Sequence, residues 1–199
     1  MRLSLGGSDE LAAQIRAGGR ADVFAAANTK LPDQLHAEGR VERPVVFAAN
    51  RLVLAVPANS TKVRSLAELT RPGLKLAIGA ASVPVGSYTR KVLAGLPAAE
   101  RARIMAAVKT EEPDVAGIVG KLTQGAVDAG FVYATDVLAT KGALRAIQLP
   151  ASLHPTALYA AAVVKGTHDD GAARAFVAGL VSGAGRRALL DAGFRAPPR

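Results

Sequence analysis

Short apolar runs alternate with segments of helical periodicity along most of the chain, separated by glycine, proline or polar residues. The apolar runs predict strands at residues 3–5, 21–25, 51–56, 75–78, 129–133, 146–149 and 157–164. Apolar positions three and four apart predict helices at residues 8–17, 29–38, 84–93, 97–108, 114–123, 135–140, 171–180 and 185–192, with a helical turn at 65–69. This alternation of strands and helices predicts an α/β fold with mainly parallel sheets.

The composition is that of a globular protein, and it excludes several kinds of chemistry. Of the 199 residues, 50% are hydrophobic and 21% are charged, which provides enough apolar surface for a core. The chain has no cysteine, so disulfides, thiolate metal sites and cysteine nucleophiles are excluded. No apolar run is long enough to span a bilayer, and the first five residues do not resemble a signal peptide.

The charge balance favours anionic partners. The formal net charge is +9, from 25 lysines and arginines against 16 acidic residues, and such an excess attracts anions. Nucleic acid is not expected among them, because the basic residues are scattered singly and few aromatic residues lie between them. A solvated basic surface and a small anionic ligand are the two remaining explanations.

Familiar catalytic and cofactor motifs are absent. Ser8 follows two glycines but has no glycine two positions later, so it does not form a Gly-x-Ser-x-Gly elbow. The segment 183–188 formally fits a dinucleotide fingerprint, but it joins two predicted helices and no strand precedes it. His36, His154 and His168 stand alone in the sequence, so we expect no metal ion bound directly by side chains.

Small and hydroxyl residues lie at several predicted helix starts, at residues 6–8, 82–88 and 112–116. The first turn of a helix leaves backbone N–H groups without partners and carries a partial positive charge. Several such starts converging on one point bind an anion without lysine or arginine. Ser8 and the strand-end Tyr133 would each add a hydroxyl donor. Two plainer interpretations stay open, a helix cap for Ser8 and a half-buried strand residue for Tyr133.

Several sequence blocks occur in an order that is typical of one family. They are Gly7–Ile15, Ala21–Phe24, Asn50–Val53, Val83–Tyr88, Asp114–Val115, Phe131–Asp136 and Gly193–Phe194. The first two blocks resemble the Ser-x-x-Leu-Ala-x-Gln-Ile and Ala-Asp-Val/Leu-Phe motifs of the periplasmic molybdate-binding proteins, the ModA family. The resemblance covers nearly the whole chain. Members of this family are the substrate-capturing subunits of ATP-driven importers of molybdate and tungstate.

The resemblance implies a type II periplasmic-binding-protein fold. Such a fold has two lobes, each a mainly parallel sheet flanked by helices, with the ligand cleft between them. Lobe I would combine residues 1–55 with 157–199, and lobe II would span residues 56–156. Crossovers near Ala55 and Ala157 would form the hinge.

The resemblance also implies the ligand-binding residues. The family holds its oxyanion with serine hydroxyls, backbone amides and one tyrosine hydroxyl. Carried over by motif, these positions are Ser8, Val85, Val115 and Tyr133, with Val85 and Val115 contributing their backbone N–H groups. Many relatives have alanine at the position of Val85, which should matter little if only the N–H is used.

The implied function is the substrate-binding subunit of an ABC importer, located outside the cytoplasm. It would capture molybdate or tungstate and deliver it to a membrane permease, with no cofactor and no enzymatic reaction. Fixed neutral donors would reject the smaller sulfate ion by size, because they would lie too far from its oxygens. They would reject phosphate where no acceptor is present for its proton. Molybdate and tungstate are nearly equal in size, so the sequence does not distinguish them.

The resemblance is incomplete at the N-terminus. Members of the family begin with an export signal, a first strand and a loop with a further ligand-contacting serine, whereas this sequence begins at the segment of their second strand. We therefore expect lobe I to lack a strand that is normally central, and the site to lack one hydroxyl donor. Exposed strand edges predict self-association or a compensating rearrangement.

Three other functions stay open. A ligand-sensing domain of a transcriptional regulator has the same architecture, but it would need a helix-turn-helix, which residues 1–199 do not supply. An enzyme on this scaffold, such as a dehydratase, would need acid–base residues at positions where the candidates are serine, valine and tyrosine. A shortened binding protein with impaired anion binding is the third.

Overall fold

The computed structural model describes residues 1–153 and 155–198, and the chain divides into two compact units. Unit 1 comprises Met1–Asn50 and Ala157–Arg199, and unit 2 comprises Arg51–Thr156. Each unit combines strands with helices, which confirms the α/β class predicted from the alternation of apolar runs and helical segments.

The elements follow one another along the chain with few long connections. In order they are α1 (Ser8–Arg16), β1 (Val23–Ala26), α2 (Lys30–Ala37), β2 (Val45–Pro57), β3 (Leu76–Gly79), α3 (Pro84–Ala94), α4 (Ala98–Ala106), β4 (Val108–Glu112), α5 (Val115–Thr123), β5 (Ala129–Tyr133), α6 (Ala134–Ala139), β6 (Leu144–Ile147), β7 (Thr156–Val163), α7 (Asp170–Val181) and α8 (Gly183–Asp191). Single 3₁₀ turns lie at Ala67–Thr70 and Ala151–Leu153.

In unit 1, β7 lies between β1 and the part of β2 that belongs to this unit. β1 and β7 are antiparallel, with Phe24 opposite Ala162. These two residues pack with Leu35 of α2 in one cluster, while Ala161 packs with Val177 of α7 in another. Because neighbouring strand residues point to opposite faces, the sheet of unit 1 has helices on both sides.

In unit 2, the strand order is β6–β2–β5–β3–β4. β3 is parallel to both β4 and β5, whereas β2 is antiparallel to β5 and β6. Leu54, Ile78, Leu122 and Phe131 are fully buried in this unit. The sheet of unit 2 is therefore mixed, and within it the expected parallel pairing occurs among β3, β4 and β5. Helical crossovers join those three strands, and parallel neighbours require such crossovers.

Most predicted elements are confirmed within a few residues, with two clear exceptions. Residues 3–5 form no strand, and no strand of the described chain pairs with them, so Leu3 is 66% exposed and Leu5 is 89% exposed. The sequence pattern did not predict β4. The sequence Lys-Thr-Glu-Glu has no run of apolar residues, so it does not look like a strand. β4 lies at the edge of its sheet, where charged residues are tolerated.

Two smaller differences concern strand ends. β2 extends well beyond the predicted 51–56, and β6 begins two residues before the predicted 146.

Among the described residues, no helix is both long enough and apolar enough to cross a lipid bilayer.

Candidate oxyanion-binding site

Three of the predicted site residues follow the carboxyl ends of three neighbouring strands in unit 2. Val85 lies in the first turn of α3, which follows β3, and Val115 begins α5, which follows β4. Tyr133 ends β5 and precedes α6. Because β5, β3 and β4 are adjacent and parallel, their carboxyl ends share one edge of the sheet. The fold of unit 2 thus brings these residues to the same edge.

The first turn of α3 lies very close to the end of β3, and two glycines make this approach possible. A Cβ atom on Gly86 would lie 1.9 Å from the carbonyl oxygen of Ala80. A Cβ atom on Gly79 would lie 2.7 Å from the backbone nitrogen of Gly86. Neither position has room for a side chain, so the backbone of the β3–α3 connection is tightly packed.

At the start of α3, the Val85 backbone N–H has no carbonyl partner within its own helix. Val83 is the N-cap, with an extended backbone (φ −88°, ψ 153°), and Pro84 is the first helical residue. Proline suits this position because the helix has no acceptor for an N–H there. Val85 follows, and an N–H in the first turn has no carbonyl partner within its helix. Val85 is a buried residue, 2% exposed.

The start of α5 is capped by an acidic side chain. Asp114 is the N-cap, and its Oδ1 accepts the backbone N–H of Gly117 at 2.8 Å. Val115 is the first helical residue, and its N–H is not used by this cap. The first turn also lies against Glu112, since a Cβ on Gly117 would lie 2.6 Å from the Glu112 Oε2 atom. These carboxylates oppose a bound anion, because they offset the partial positive charge of the helix start.

Tyr133 is held from two directions. Its side chain is 3% exposed, and its ring packs edge-on against Tyr88 of α3, with 6.5 Å between the ring centroids. Its backbone N–H donates to Oδ2 of Asp136 at 2.9 Å. Burial raises the pKa of Asp136 to about 6, and the hydrogen bond from Tyr133 partly opposes this rise. A carboxyl group whose pKa is raised by burial therefore lies beside the tyrosine.

Ser8, the remaining predicted site residue, belongs to unit 1. The N-cap of α1 is Gly7, and Ser8 is the first helical residue without a side-chain cap bond, so the helix-cap interpretation is wrong. Its Oγ atom instead accepts the backbone N–H of Ala27 at 3.2 Å, directly after β1. This bond uses a lone pair of the hydroxyl and leaves its O–H free to donate to another group.

Sequence reasoning missed the residues that hold these helix starts in place. Asp136 follows Tyr133 by three residues, which is the spacing of a capping residue at the third helical position and could have revealed it. Arg90 contacts Gly79 and Glu111, which lie 11 and 21 residues away along the chain, so no local pattern pointed to it.

Metal-ligating side chains and a cavity are the two other features that bear on binding. Within residues 1–153 and 155–198, no group of three or more His, Asp or Glu side chains is placed to hold a metal ion, and His154 lies outside the described residues. A cavity of about 300 Å³ in unit 1 is lined by Arg20, Arg40, Lys165 and other residues, but by none of the predicted site residues.

Comparison with known proteins places this chain in a family. The model of the bacterial extracellular solute-binding proteins matches residues 1–195. The chain belongs to this family. It is 37% identical over 199 residues to the molybdate-binding protein ModA of Mycobacterium tuberculosis, a match that covers 99% of the chain and 74% of the relative. The resemblance noted in the sequence is thereby confirmed.

Two further comparisons support the family and its fold. The molybdate-binding protein ModA of Haemophilus influenzae is 30% identical over 203 residues, covering 97% of this chain and 78% of the relative. The structure of the Azotobacter vinelandii periplasmic molybdate-binding protein has a TM-score of 0.86 at 22% identity, with coverage of 98% and 87%. At that identity the structural likeness shows the fold alone, and it confirms the predicted periplasmic-binding-protein fold.

Proposed function

We propose that the protein is the substrate-binding subunit of an ABC importer, that it works outside the cytoplasm, and that it captures molybdate or tungstate for a membrane permease. Relatives named as molybdate-binding proteins share 37% and 30% of its residues over nearly the whole chain. The structural observation that carries the proposal is the shared edge of β5, β3 and β4, where three predicted donors follow parallel strands. No bond is made or broken in this function, so no catalytic group is required.

We propose four donors for the anion. They are the hydroxyls of Ser8 and Tyr133 and the backbone N–H groups of Val85 and Val115. A fully deprotonated tetrahedral oxyanion has four oxygens that only accept hydrogen bonds. A site made of neutral hydrogen-bond donors can therefore bind all of them. The partial positive charge at the start of α3, whose first turn has no acidic residue, adds attraction without a formal charge. Lobe I (1–55 with 157–199) would supply Ser8, and lobe II (56–156) would supply the other three.

Selectivity in this proposal comes from donor spacing. Donors placed for the longer bonds of molybdate would not reach the oxygens of sulfate, and unsatisfied buried donors are costly. The backbone groups are well suited to this task, because the packing at Gly79 and Gly86 limits how far the first turn of α3 can move.

A thermal-shift series with molybdate, tungstate, sulfate and phosphate tests the proposal. A ligand at a thousandfold excess over its dissociation constant should stabilise the fold by about 4 kcal/mol. We expect a clear shift with molybdate and tungstate only. No shift with any of the four anions would contradict the proposed function, and an equal shift with all four would contradict the proposed selectivity.

We also propose that the protein self-associates through an exposed strand edge, with the segment before α1 taking part. Met1, Leu3 and Leu5 are exposed apolar residues in this segment, which forms no strand. Sedimentation should detect a dimer or larger species, and a double change Leu3→Asp with Leu5→Asp should convert it to a monomer. A monodisperse wild-type monomer would contradict this part of the proposal.

A further inference from the structure

The Arg90 guanidinium contacts three different elements of unit 2. Its Nη1 donates to the carbonyl oxygen of Gly79, the last residue of β3, at 2.8 Å, and to that of Gly86 in α3 at 3.3 Å. Its Nη2 donates to both carboxylate oxygens of Glu111 in β4, each at 2.9 Å. The Arg90 side chain is only 31% exposed, so these contacts are partly shielded from water.

These contacts enclose the segment that carries Val85. Gly79 is the last residue of β3 and Gly86 lies in the first turn of α3, so the two residues flank the β3–α3 connection and Val85, and Arg90 bonds to the carbonyl of each. The connection has further ties, from the Ala80 N–H to the Glu112 carbonyl at 2.9 Å and from the Val83 N–H to the Ala80 carbonyl at 3.2 Å. The guanidinium therefore closes a short loop of backbone onto the neighbouring strand.

We propose that Arg90 is a positioning residue, whose guanidinium fixes the direction of the Val85 N–H and thereby the oxyanion selectivity of the site. It acts through the backbone and does not contact the anion, since both terminal nitrogens are already bonded within the protein. This inference rests on the function proposed above. It adds a specificity-determining residue that the sequence motifs do not contain.

The geometry requires arginine in particular. The planar guanidinium presents several N–H groups in a fixed fork, so one side chain reaches two carbonyls and a bidentate carboxylate together. A lysine ammonium is a point charge that cannot reproduce this set of directions. An ion pair with a partly exposed carboxylate contributes little to stability. Replacing Arg90 should therefore leave unit 2 folded while the β3–α3 connection loosens.

The test compares Arg90→Lys and Arg90→Met with the matched control Lys62→Met. Lys62 forms an ion pair with Asp128 at 2.6 Å in the same unit, away from the β3–α3 connection. Affinities for molybdate and sulfate are measured by titration calorimetry, and folding by chemical denaturation. We expect both Arg90 variants to lose about tenfold in molybdate affinity, the effect of one misplaced hydrogen bond. The ratio of molybdate to sulfate affinity should also fall, while Lys62→Met keeps the wild-type ratio.

The selectivity ratio separates positioning from a purely structural role. A loss of folded protein lowers the apparent affinity for every anion equally and leaves the ratio unchanged. The inference would be overturned if the folded Arg90 variants kept the wild-type molybdate affinity and the wild-type ratio of molybdate to sulfate affinity. An equal loss for all anions that follows the loss of stability would also overturn it.

Hydrogen exchange in the ligand-free protein gives a second readout that does not depend on anion binding. Amide exchange at Val85, Gly86 and Ser87 should be faster in Arg90→Met than in wild type, and unchanged in Lys62→Met. Unchanged exchange in Arg90→Met would overturn the inference even where the wild type binds molybdate. Absence of anion binding by the wild type would instead refute the proposed function, and the selectivity role with it.

Discussion

The two units offer candidate donors of different kinds. In unit 1 the donor is a side chain, the Ser8 hydroxyl, held by one backbone N–H from Ala27. In unit 2 two donors are main-chain N–H groups, at Val85 and Val115, and they lie where helices follow parallel strands. A side-chain donor depends on the residue itself. The position of a main-chain donor depends on the neighbouring residues that hold the backbone. The residue type at that position therefore says little about whether its N–H binds a ligand.

The units also differ in their ionisable groups. In unit 1 the Arg16 guanidinium bonds to Glu38 and lowers the pKa of that exposed carboxyl, so the pair stays charged at neutral pH. In unit 2 burial raises the pKa of Asp136 beside Tyr133 to about 6. Sensitivity to pH between about 4 and 6 is therefore expected at the candidate site of unit 2.

Gly86→Ala should have the largest effect on stability, because it disrupts the close contact between β3 and α3 in unit 2. The new Cβ would lie 1.9 Å from the Ala80 oxygen and 2.4 Å from the Gly79 oxygen, so β3 and α3 would have to separate. We expect a loss of about 3 kcal/mol in unfolding free energy, measured by chemical denaturation. The control is Gly120→Ala in α5, where only Gln124 Nε2 lies near, at 3.9 Å. Equal stability of the two variants would contradict the close-approach argument.

Asp136→Asn should change how stability depends on pH. The folded pKa of about 6 lies above the ordinary value of 3.8, so the folded state binds more protons between these values. Wild-type stability should fall as pH rises from about 4 to about 6 and then level off, by at most about 3 kcal/mol. The asparagine variant should lack this fall, because its side chain still accepts the Tyr133 N–H but cannot ionise. Parallel denaturation profiles for both proteins would refute the assignment.

Tyr133→Phe tests the side-chain donor of unit 2. Removing a buried hydroxyl that donates to the anion should weaken molybdate binding by about 1–3 kcal/mol, measured by calorimetry. Tyr159→Phe in unit 1 is the control, because Tyr159 packs against Phe47 and Phe194 away from the predicted donors. Unchanged affinity in Tyr133→Phe would remove the tyrosine from the site.

Ser8→Ala tests the donor of unit 1 and should have a smaller effect. The variant loses one hydrogen bond from a hydroxyl to the charged oxyanion, which is worth about 1.5 kcal/mol in affinity. Because Gly7 caps α1, no loss of side-chain capping is expected in addition. Ser65→Ala, a change at an exposed residue of unit 2, is the control for a serine hydroxyl outside the site. Calorimetry that cannot tell the two variants apart would exclude Ser8.

Val115→Ala should have the smallest effect on molybdate affinity. It tests whether the candidate donor at this position of unit 2 is the main chain, in contrast to the side-chain donor Ser8 of unit 1. The main-chain N–H is retained and the residue is only partly buried, so affinity should change by less than about 0.5 kcal/mol. A large loss of molybdate affinity with intact stability would mean that the valine side chain, and not the backbone, takes part in binding.

Much of this molecule could be predicted from the sequence, and the failures have physical reasons. β5 was predicted at its observed bounds because Ala129–Tyr133 is a short apolar run between turn residues. β4 was missed because an edge strand can be charged, and residues 3–5 were predicted as a strand because propensity cannot show whether a partner strand is present. Ser8 was found as a helix-start residue, but its bond to Ala27 was not foreseen.

The sequence by itself determined the α/β class, most of the helices and strands, and the family, because periodicity and motifs are local properties of the chain. Only the tertiary structure decided the mixed direction of the strands and the shared edge of β5, β3 and β4. It also decided the contacts of Arg90 and the pKa of Asp136. Each of these depends on groups far apart in sequence being brought together, and on water being excluded when they meet.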